Sequence, residues 1–131
     1  MDLAAPSARR PTLLARACAG LCLLALAVLS WTPGPYMIRT GVLSGHEEHF
    51  LAYLISGCVL AAASRRSHYA AVASALCSYA ALLELGQYAV PGRHPAFQDF
   101  SASSLGALMG IAVITTIRGY VLRSLRDFRN F

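Results

Sequence analysis

The stretch ELGQYAVPGRHPAFQDFSASSLGALMG, residues 84–110, joins two apolar segments through a tight turn. At the end of the first apolar segment, this stretch carries a carboxylate and an amide one helical turn apart, Glu84 and Gln87. Pro91-Gly92-Arg93 then breaks the helical pattern, and the chain re-enters apolar sequence at Asp99. Polar groups therefore gather at the turn between two apolar segments, and the rest of the chain is organised around this turn.

The composition is that of a membrane protein of one domain. Of the 131 residues, 56% are hydrophobic and 13% are charged, whereas soluble domains average roughly 45–50% and about 25%. The mean hydropathy is +0.53. All eleven basic residues are arginines, and they lie between apolar runs instead of forming one block. This distribution is typical of membrane topology signals and argues against nucleic-acid binding.

Four apolar segments are long enough to be transmembrane helices, since about 20 residues cross the roughly 30 Å hydrocarbon core. The sequence predicts these helices at residues 12–31, 47–63, 69–88 and 100–117. A signal peptide is the alternative for the first segment, but no small-residue cleavage pattern closes it. We therefore expect one all-α integral membrane domain over residues 1–131, with a basic cytoplasmic tail at 118–131.

The arginines also predict the orientation of the helices. With the amino terminus inside, nine of them are cytoplasmic: Arg9, Arg10, Arg16, Arg65, Arg66, Arg118, Arg123, Arg126 and Arg129. Only Arg39 and Arg93 fall outside. This asymmetry follows the positive-inside rule. We expect a multi-pass membrane protein with both termini cytoplasmic.

That topology places polar faces of three helices on the extracytoplasmic side, because residues one turn apart share a helix face. The faces consist of His49, Tyr53 and Ser56 on the second helix, Glu84, Gln87 and Tyr88 on the third, and Asp99, Ser103, Gly106 and Gly110 on the fourth. We expect the three faces to converge. Near the extracytoplasmic ends of the helices, they would form a polar pocket whose ligand-binding residues are Arg93, Gln87, Tyr53 and Ser103. Towards the middle of the membrane, the Gly106-x-x-x-Gly110 pair would pack closely against another helix.

No catalytic residue is assigned, and the candidates for proton transfer are Glu84, His49 and Asp99. An ionisable group inside a membrane helix is a functional candidate by default, and histidine exchanges protons near neutral pH. The alternatives are structural. Glu84 would then pair with Arg93 or Gln87 to hold the turn. Asp99 stands just before a helix and would cap its first amides, which is compatible with a place in the site.

Arg93 follows Pro-Gly, so a turn sets its direction, and its planar guanidinium suits a carboxylate or a phosphate. The alternative is an interhelical clamp with Asp99 or Glu84. The run His46-Glu47-Glu48-His49 is not a recognised zinc motif, so no metal site and no cofactor are expected. The four cysteines lie within or beside apolar runs and are interpreted as small helix residues, not as a disulfide framework.

Five short motifs occur in an order and at a spacing that resemble the VanZ-like family of small bacterial membrane proteins: His49-Phe50-x-x-Tyr53, Glu84-x-x-Gln87, Pro91-Gly92-Arg93, Asp99 and Gly106-x-x-x-Gly110. The family is named after a protein linked to resistance against teicoplanin, a glycopeptide that acts on the cell envelope. The resemblance implies a location in the bacterial cytoplasmic (inner) membrane, as part of the cell envelope, and a contribution to antibiotic tolerance, but no reaction. The chain departs from the family pattern at Gly45-His46, where the family often has Asp-Lys, and at Ser103, where it has Asn.

We expect an extracytoplasmic pocket that recognises an anionic cell-envelope lipid or precursor. Arg93 would hold the phosphate, while Glu84, Asp99 and His49 would position the ligand or move protons. Two alternatives stay open: a membrane enzyme that acts on a lipid-linked substrate, and a structural subunit whose polar groups only clamp the helix turn. Membrane lipids are the expected partners, nucleic acid is not, and self-association is left open.

Overall fold

Helices make up most of the structure. The computed structural model describes residues 12–37 and 41–129, and no strand occurs within these ranges. The long helices are α1 (Leu13–Trp31), α2 (Gly45–Ala63), α3 (Tyr69–Gly86) and α4 (Phe97–Arg129). Short 3-10 turns occur at Gly34–Tyr36, Arg66–His68 and Gln87–Ala89. The all-α prediction is confirmed; the predicted tail over residues 1–11, with Arg9 and Arg10, and the outer Arg39 lie outside the described residues.

Within the described ranges, three helical segments are long and apolar enough to cross a membrane: Leu13–Trp31, Arg66–Ala89 and Phe97–Arg129. By length and composition, the count of membrane-spanning helices is thus three and not the predicted four. Helix α2 is left out because the two histidines and two glutamates near its start lower its mean hydropathy. However, α2 reaches the same depth as α4. It contacts Asp99 at its start and Arg118 at its end, and these two residues lie about 28 Å apart along the α4 axis.

Local sequence explains where the helices begin and end. A capping box starts α2 at Gly45 and not at residue 47: the Ser44 hydroxyl accepts from the Glu47 N–H at 3.4 Å, and the Glu47 carboxylate accepts from the Ser44 N–H at 2.7 Å. The regular part of α3 ends at Gly86, and Val90 is extended, since the residue before a proline avoids the helical region.

The fourth helix differs most from the sequence prediction. It begins at Phe97 instead of residue 100, and it continues without a break to Arg129. The predicted basic tail is therefore, as far as it is described, the last part of the same helix. A lone glycine in a helix costs only about 1 kcal/mol, so Gly119 does not stop α4. At about 50 Å, α4 is longer than the hydrocarbon core is thick.

Helices α2 and α4 run parallel and make the most extensive contact in the described part of the bundle. Glycines allow their backbones to touch. A Cβ atom at Gly106 would overlap the Phe50 carbonyl oxygen, and one at Gly110 would overlap the carbonyl oxygen of Leu54. From the opposite side, a Cβ at Gly57 would overlap the carbonyl oxygen of Ala107. Both glycines that the sequence predicts for packing thus lie at this contact.

Helices α1 and α3 complete the core through apolar side chains and hydrogen bonds to backbone carbonyls. The buried core residues are Leu26, Tyr53, Leu76, Ala80, Leu83 and Ala107. The Trp31 indole N–H donates to the Leu83 carbonyl at 3.2 Å, and the Tyr79 hydroxyl donates to the Leu23 carbonyl at 2.8 Å. These bonds satisfy polar side chains inside a bundle that has little water to replace them.

Gly106→Ala and Gly110→Ala are expected to push α2 and α4 apart. Because the added methyl group meets backbone and not a flexible side chain, each should lower the free energy of unfolding by about 1–3 kcal/mol. Thermal unfolding of the detergent-solubilised protein measures this loss. The control is Gly20→Ala, whose Cβ would meet nothing within 4 Å and which should be neutral or slightly stabilising. Equal unfolding temperatures in all three variants would contradict the prediction.

Candidate functional site

A cavity of about 450 Å³ lies between the end of α1 and the start of α2, beside the start of α4 and the loop before it. Its deeper wall is largely apolar and includes Leu26, Val28, Leu29, Leu51 and Ala52. Its outer rim is polar and includes Thr32, Glu48, His49, Arg93 and Asp99. The sequence predicted a pocket where α2, α3 and α4 converge. The structure places the cavity against α1 instead, because the polar face of α3 is used to hold the turn and α1.

The Asp99 carboxylate faces two histidines of α2. One oxygen contacts Nδ1 of His46, and the other lies 3.9 Å from Nε2 of His49. The side chains of His49 and Asp99 are each 19% exposed, and that of His46 is 50% exposed. The described contacts of the Asp99 side chain are therefore to the neighbouring helix α2. The sequence suggested in addition that Asp99 caps its own helix, α4. The two histidine contacts tie the start of α4 to the start of α2.

His46 belongs to this cluster, although the sequence prediction left it out of the site. His46 and His49 are three positions apart at the start of a helix, and that spacing places both imidazoles on one helix face. The spacing was visible in the sequence. The prediction considered His46-Glu47-Glu48-His49 only as a possible zinc motif, and it therefore missed a carboxylate that lies between two imidazoles.

Ser103 continues the same chain of contacts into the bundle. Its hydroxyl lies 3.4 Å from Nδ1 of His49, one turn below Asp99. Serine, histidine and aspartate are the residue types of a nucleophilic triad. However, Ser103 is only 2% exposed, and it is not among the described residues that line the cavity. The Ser103 hydroxyl therefore lies behind the cavity wall, where it contacts His49, and it does not face the cavity.

Glu84 faces the turn and not the cavity. It is buried, and its Oε1 accepts a hydrogen bond from the Ala96 N–H at 2.9 Å. The Ala96 carbonyl accepts from the Asp99 N–H at 3.0 Å, so Ala96 is the residue that starts α4. A negative charge is favourable at this end of a helix because of the helix dipole. Glu84 thus holds the turn. Its partner is the backbone N–H of Ala96, whereas the structural alternative from the sequence named Arg93 or Gln87.

The two other predicted ligand-binding residues of the bundle lie in different surroundings. Gln87 is buried and donates from Nε2 to the Ser30 hydroxyl at 3.2 Å, which links α3 to the end of α1. Ser30 lines the cavity, whereas Gln87 does not. Tyr53 both lines the cavity and belongs to the core, with 3% of its surface exposed. Tyr88, predicted on the same face as Gln87, is exposed.

Arg93 connects the α3–α4 loop to the end of α1. Its Nε donates to the Thr32 carbonyl at 3.0 Å, and a terminal nitrogen donates to the Leu29 carbonyl. The last carbonyls of a helix lack partners within the helix, and the helix dipole favours a cation there. Arg93 also lines the cavity. One side chain therefore holds α1 and brings a permanent positive charge to the rim.

The backbone of the turn is held by a contact between two loops. Gly92 has a φ of +74°, a conformation that favours glycine. The Gly34 N–H donates to the Pro91 carbonyl at 3.2 Å, and a Cβ atom at Gly34 would overlap the Gly92 backbone. This contact sets the direction from which Arg93 reaches α1, as the Pro-Gly sequence predicts.

These features define a multi-pass, all-α membrane protein with His46, His49, Glu84, Arg93 and Asp99 at one end of the bundle. The family model VanZ/LLP1 matches residues 48–118, just over half of the chain, and the chain belongs to this family. The predicted resemblance is confirmed. The matched range contains His49, Glu84, Arg93 and Asp99, whereas His46 and all of α1 lie before it. Comparisons with curated proteins and with solved structures found no match.

Glu84→Ala is expected to destabilise the turn, because it leaves the Ala96 N–H without its acceptor. The free energy of unfolding should fall by about 1–3 kcal/mol, measured by thermal unfolding in detergent. Glu84→Gln keeps an oxygen at the same position and should lose about 1 kcal/mol or less. If both variants lose the same stability, the charge of Glu84 and not its hydrogen bond holds the turn.

Proposed function

We propose that the protein binds an envelope lipid or lipid precursor with an anionic, phosphate-bearing head group. The lipid chain would occupy the apolar depth of the cavity, and the head group would lie at the outer rim. The observation that carries this proposal is the division of the cavity into an apolar inner wall and a charged rim that contains Arg93. Its volume of about 450 Å³ falls within the usual range for small-molecule sites, roughly 300–1,000 Å³.

We propose that the cavity opens to the side of the bundle. Val28, Leu29 and Leu51 line it, and they are also 57%, 53% and 42% exposed. On a membrane protein, exposed aliphatic side chains at this depth face lipid chains. A lipid can therefore enter between α1 and α2 without leaving the bilayer, and this route favours a lipid over a water-soluble ligand.

Arg93 is the residue that suits a phosphate. Its guanidinium is charged at every physiological pH and offers donors in a planar fork. Its hydrogen bonds to Thr32 and Leu29 hold it against the cavity wall, so less side-chain freedom is lost when a ligand binds. His49 and Asp99 line the same rim. Glu84, which the sequence grouped with them, has no ligand contact in this proposal.

A consequence for the cell envelope follows from the family. With the cavity on the extracytoplasmic side of the bacterial cytoplasmic membrane, as the arginines indicate, a bound lipid or precursor would be withheld from other envelope components. Glycopeptide antibiotics act on the envelope, and the family takes its name from a protein linked to resistance against one of them. A contribution to glycopeptide-type tolerance is therefore part of the proposal.

A structural subunit is the second candidate, and specific contacts favour it. Glu84 bonds to the start of α4, Gln87 bonds to Ser30, and Arg93 bonds to the end of α1. Polar groups used in this way clamp the turn and α1. On this alternative, substitutions at these positions reduce the amount of folded protein and leave no separate effect on lipid binding.

Filling the cavity separates the two candidates. Ala52→Phe adds a ring to the cavity wall and is expected to reduce the co-purifying phospholipid about tenfold, which corresponds to about 1.4 kcal/mol. Native mass spectrometry of the gently solubilised protein measures the retained lipid. The control, Ala75→Phe, adds the same ring to an exposed position of α3 outside the cavity and should retain lipid as the wild type does.

The same measurement on Arg93→Ala tests the head-group contact. This variant should lose phosphate-bearing lipid, and Arg93→Lys should keep part of it, because lysine retains the charge without the planar fork. Unfolding temperatures of all variants show whether a loss of lipid merely follows a loss of folding. Lipid retention equal to wild type in both Ala52→Phe and Arg93→Ala would contradict lipid binding in this cavity.

A further inference from the structure

We infer that the last part of α4, residues 119–129, binds the surface of an anionic membrane leaflet. This segment lies at the opposite end of the bundle from the cavity, so the inference is independent of the proposed function. Three observations carry it: the length of α4 beyond the bundle, an apolar row that continues past the bundle, and a separate row of arginines.

The segment extends beyond the helix that packs most closely on α4. Arg118 marks the end of that contact, because it donates to the carbonyls of Ala62 and Ser64 at the end of α2. Helix α4 is about 50 Å long, whereas a bilayer with its head groups is about 40–45 Å thick. It fits within this thickness at a tilt of about 25–35°, and membrane helices tilt by roughly 0–40°. At such a tilt, residues 119–129 lie obliquely in the head-group layer.

One side of α4 is apolar along most of its length. Residues four positions apart share a helix face, and exposed apolar side chains occur at every fourth position: Leu105, Met109, Val113, Ile117, Val121 and Leu125. The first four lie level with the bundle, where exposed aliphatic side chains face lipid chains. Val121 and Leu125 continue the row past Arg118, and the exposed Phe128 extends it. The side of α4 that faces lipid within the bundle is therefore also the apolar side of the segment.

The arginines of the segment form a row of their own. Arg123, Arg126 and Arg129 are exposed and three positions apart, and their row lies about 130° around the helix axis from the stripe of apolar side chains. Asp127 is the single acidic residue of the segment, so the segment stays cationic even when Asp127 pairs with one arginine. An apolar face combined with an arginine-rich face is typical of helices that bind anionic membrane surfaces, and guanidinium groups bind phosphates.

Charge favours a lipid surface over a second copy of the chain as the partner of this segment. Two copies inserted in the same direction bring their arginine rows to the same depth, and like charges that close repel each other. Anionic head groups carry the opposite charge and attract the arginines, and they lie at the depth that the tilted segment reaches.

Hydrogen exchange measured by mass spectrometry tests the inference on the full-length protein in nanodiscs. One set of nanodiscs contains phosphatidylcholine alone, and the other contains equal parts of phosphatidylcholine and phosphatidylglycerol with the same acyl chains. Binding to the surface suppresses local opening of the helix, so we expect the amides of residues 119–129 to exchange about tenfold more slowly with phosphatidylglycerol. High salt should remove the difference, because it screens the attraction.

Two single substitutions form a matched pair. Arg126→Gln should reduce the slowing by phosphatidylglycerol, whereas Arg16→Gln, at an exposed position near the start of α1, should leave it unchanged. The triple variant Arg123→Gln/Arg126→Gln/Arg129→Gln should abolish it. These side chains are exposed, so the unfolding temperatures should stay at the wild-type value.

Equal exchange in the two kinds of nanodisc, or the full effect of phosphatidylglycerol in the triple variant, would overturn the inference. Protection that depends on the number of protein copies in each nanodisc and not on the lipid would identify a second copy as the partner, which also overturns it. Lipid retention in the cavity is a separate measurement, so either result leaves the proposed function standing.

Discussion

The backbone contact between α2 and α4 is the constraint on which the rest of the structure depends. Three glycines, Gly57, Gly106 and Gly110, allow the two parallel helices to approach until one backbone meets the other. Such an approach tolerates little sliding, because each glycine faces a carbonyl group of the opposite helix. The register that results brings Asp99 beside His46 and His49 at one end of the helix pair and Arg118 beside the last carbonyls of α2 at the other end.

Helix α1 is held differently, and this difference explains where the cavity lies. Side chains of α3 and of the following loop reach it one at a time: Tyr79 and Arg93 donate to its carbonyls, and Gln87 donates to Ser30. These bonds do not involve α2, and no glycine contact joins α1 to α2 among the described residues. A space remains between α1 and α2, so a less tightly packed helix supplies much of the apolar wall.

The polar groups around the α3–α4 loop and the start of α2 therefore divide into two sets. Glu84 and Gln87 are buried and bonded to neighbouring elements, so they maintain the turn. His49 and Asp99 face the cavity while they join α2 to α4. Arg93 does both, since it bonds to α1 and lines the rim. Because the family-matched range begins after α1, the matched part supplies the charged rim and α1 supplies part of the apolar wall.

The sequence by itself determined the features that depend on neighbouring residues or on composition. These are the apolar helices, the break at Pro91-Gly92 and the small residues for packing. The Ser44–Glu47 cap is equally local, although the sequence prediction began this helix at residue 47. Tertiary structure alone decided that Glu84 bonds to Ala96, that His46 joins Asp99, and that Ser103 lies behind the wall. Partners such as His46 and Asp99 are more than 50 positions apart. Whether they meet depends on how each helix is rotated about its axis, and a helix that is apolar nearly all round carries little periodic signal to set that rotation.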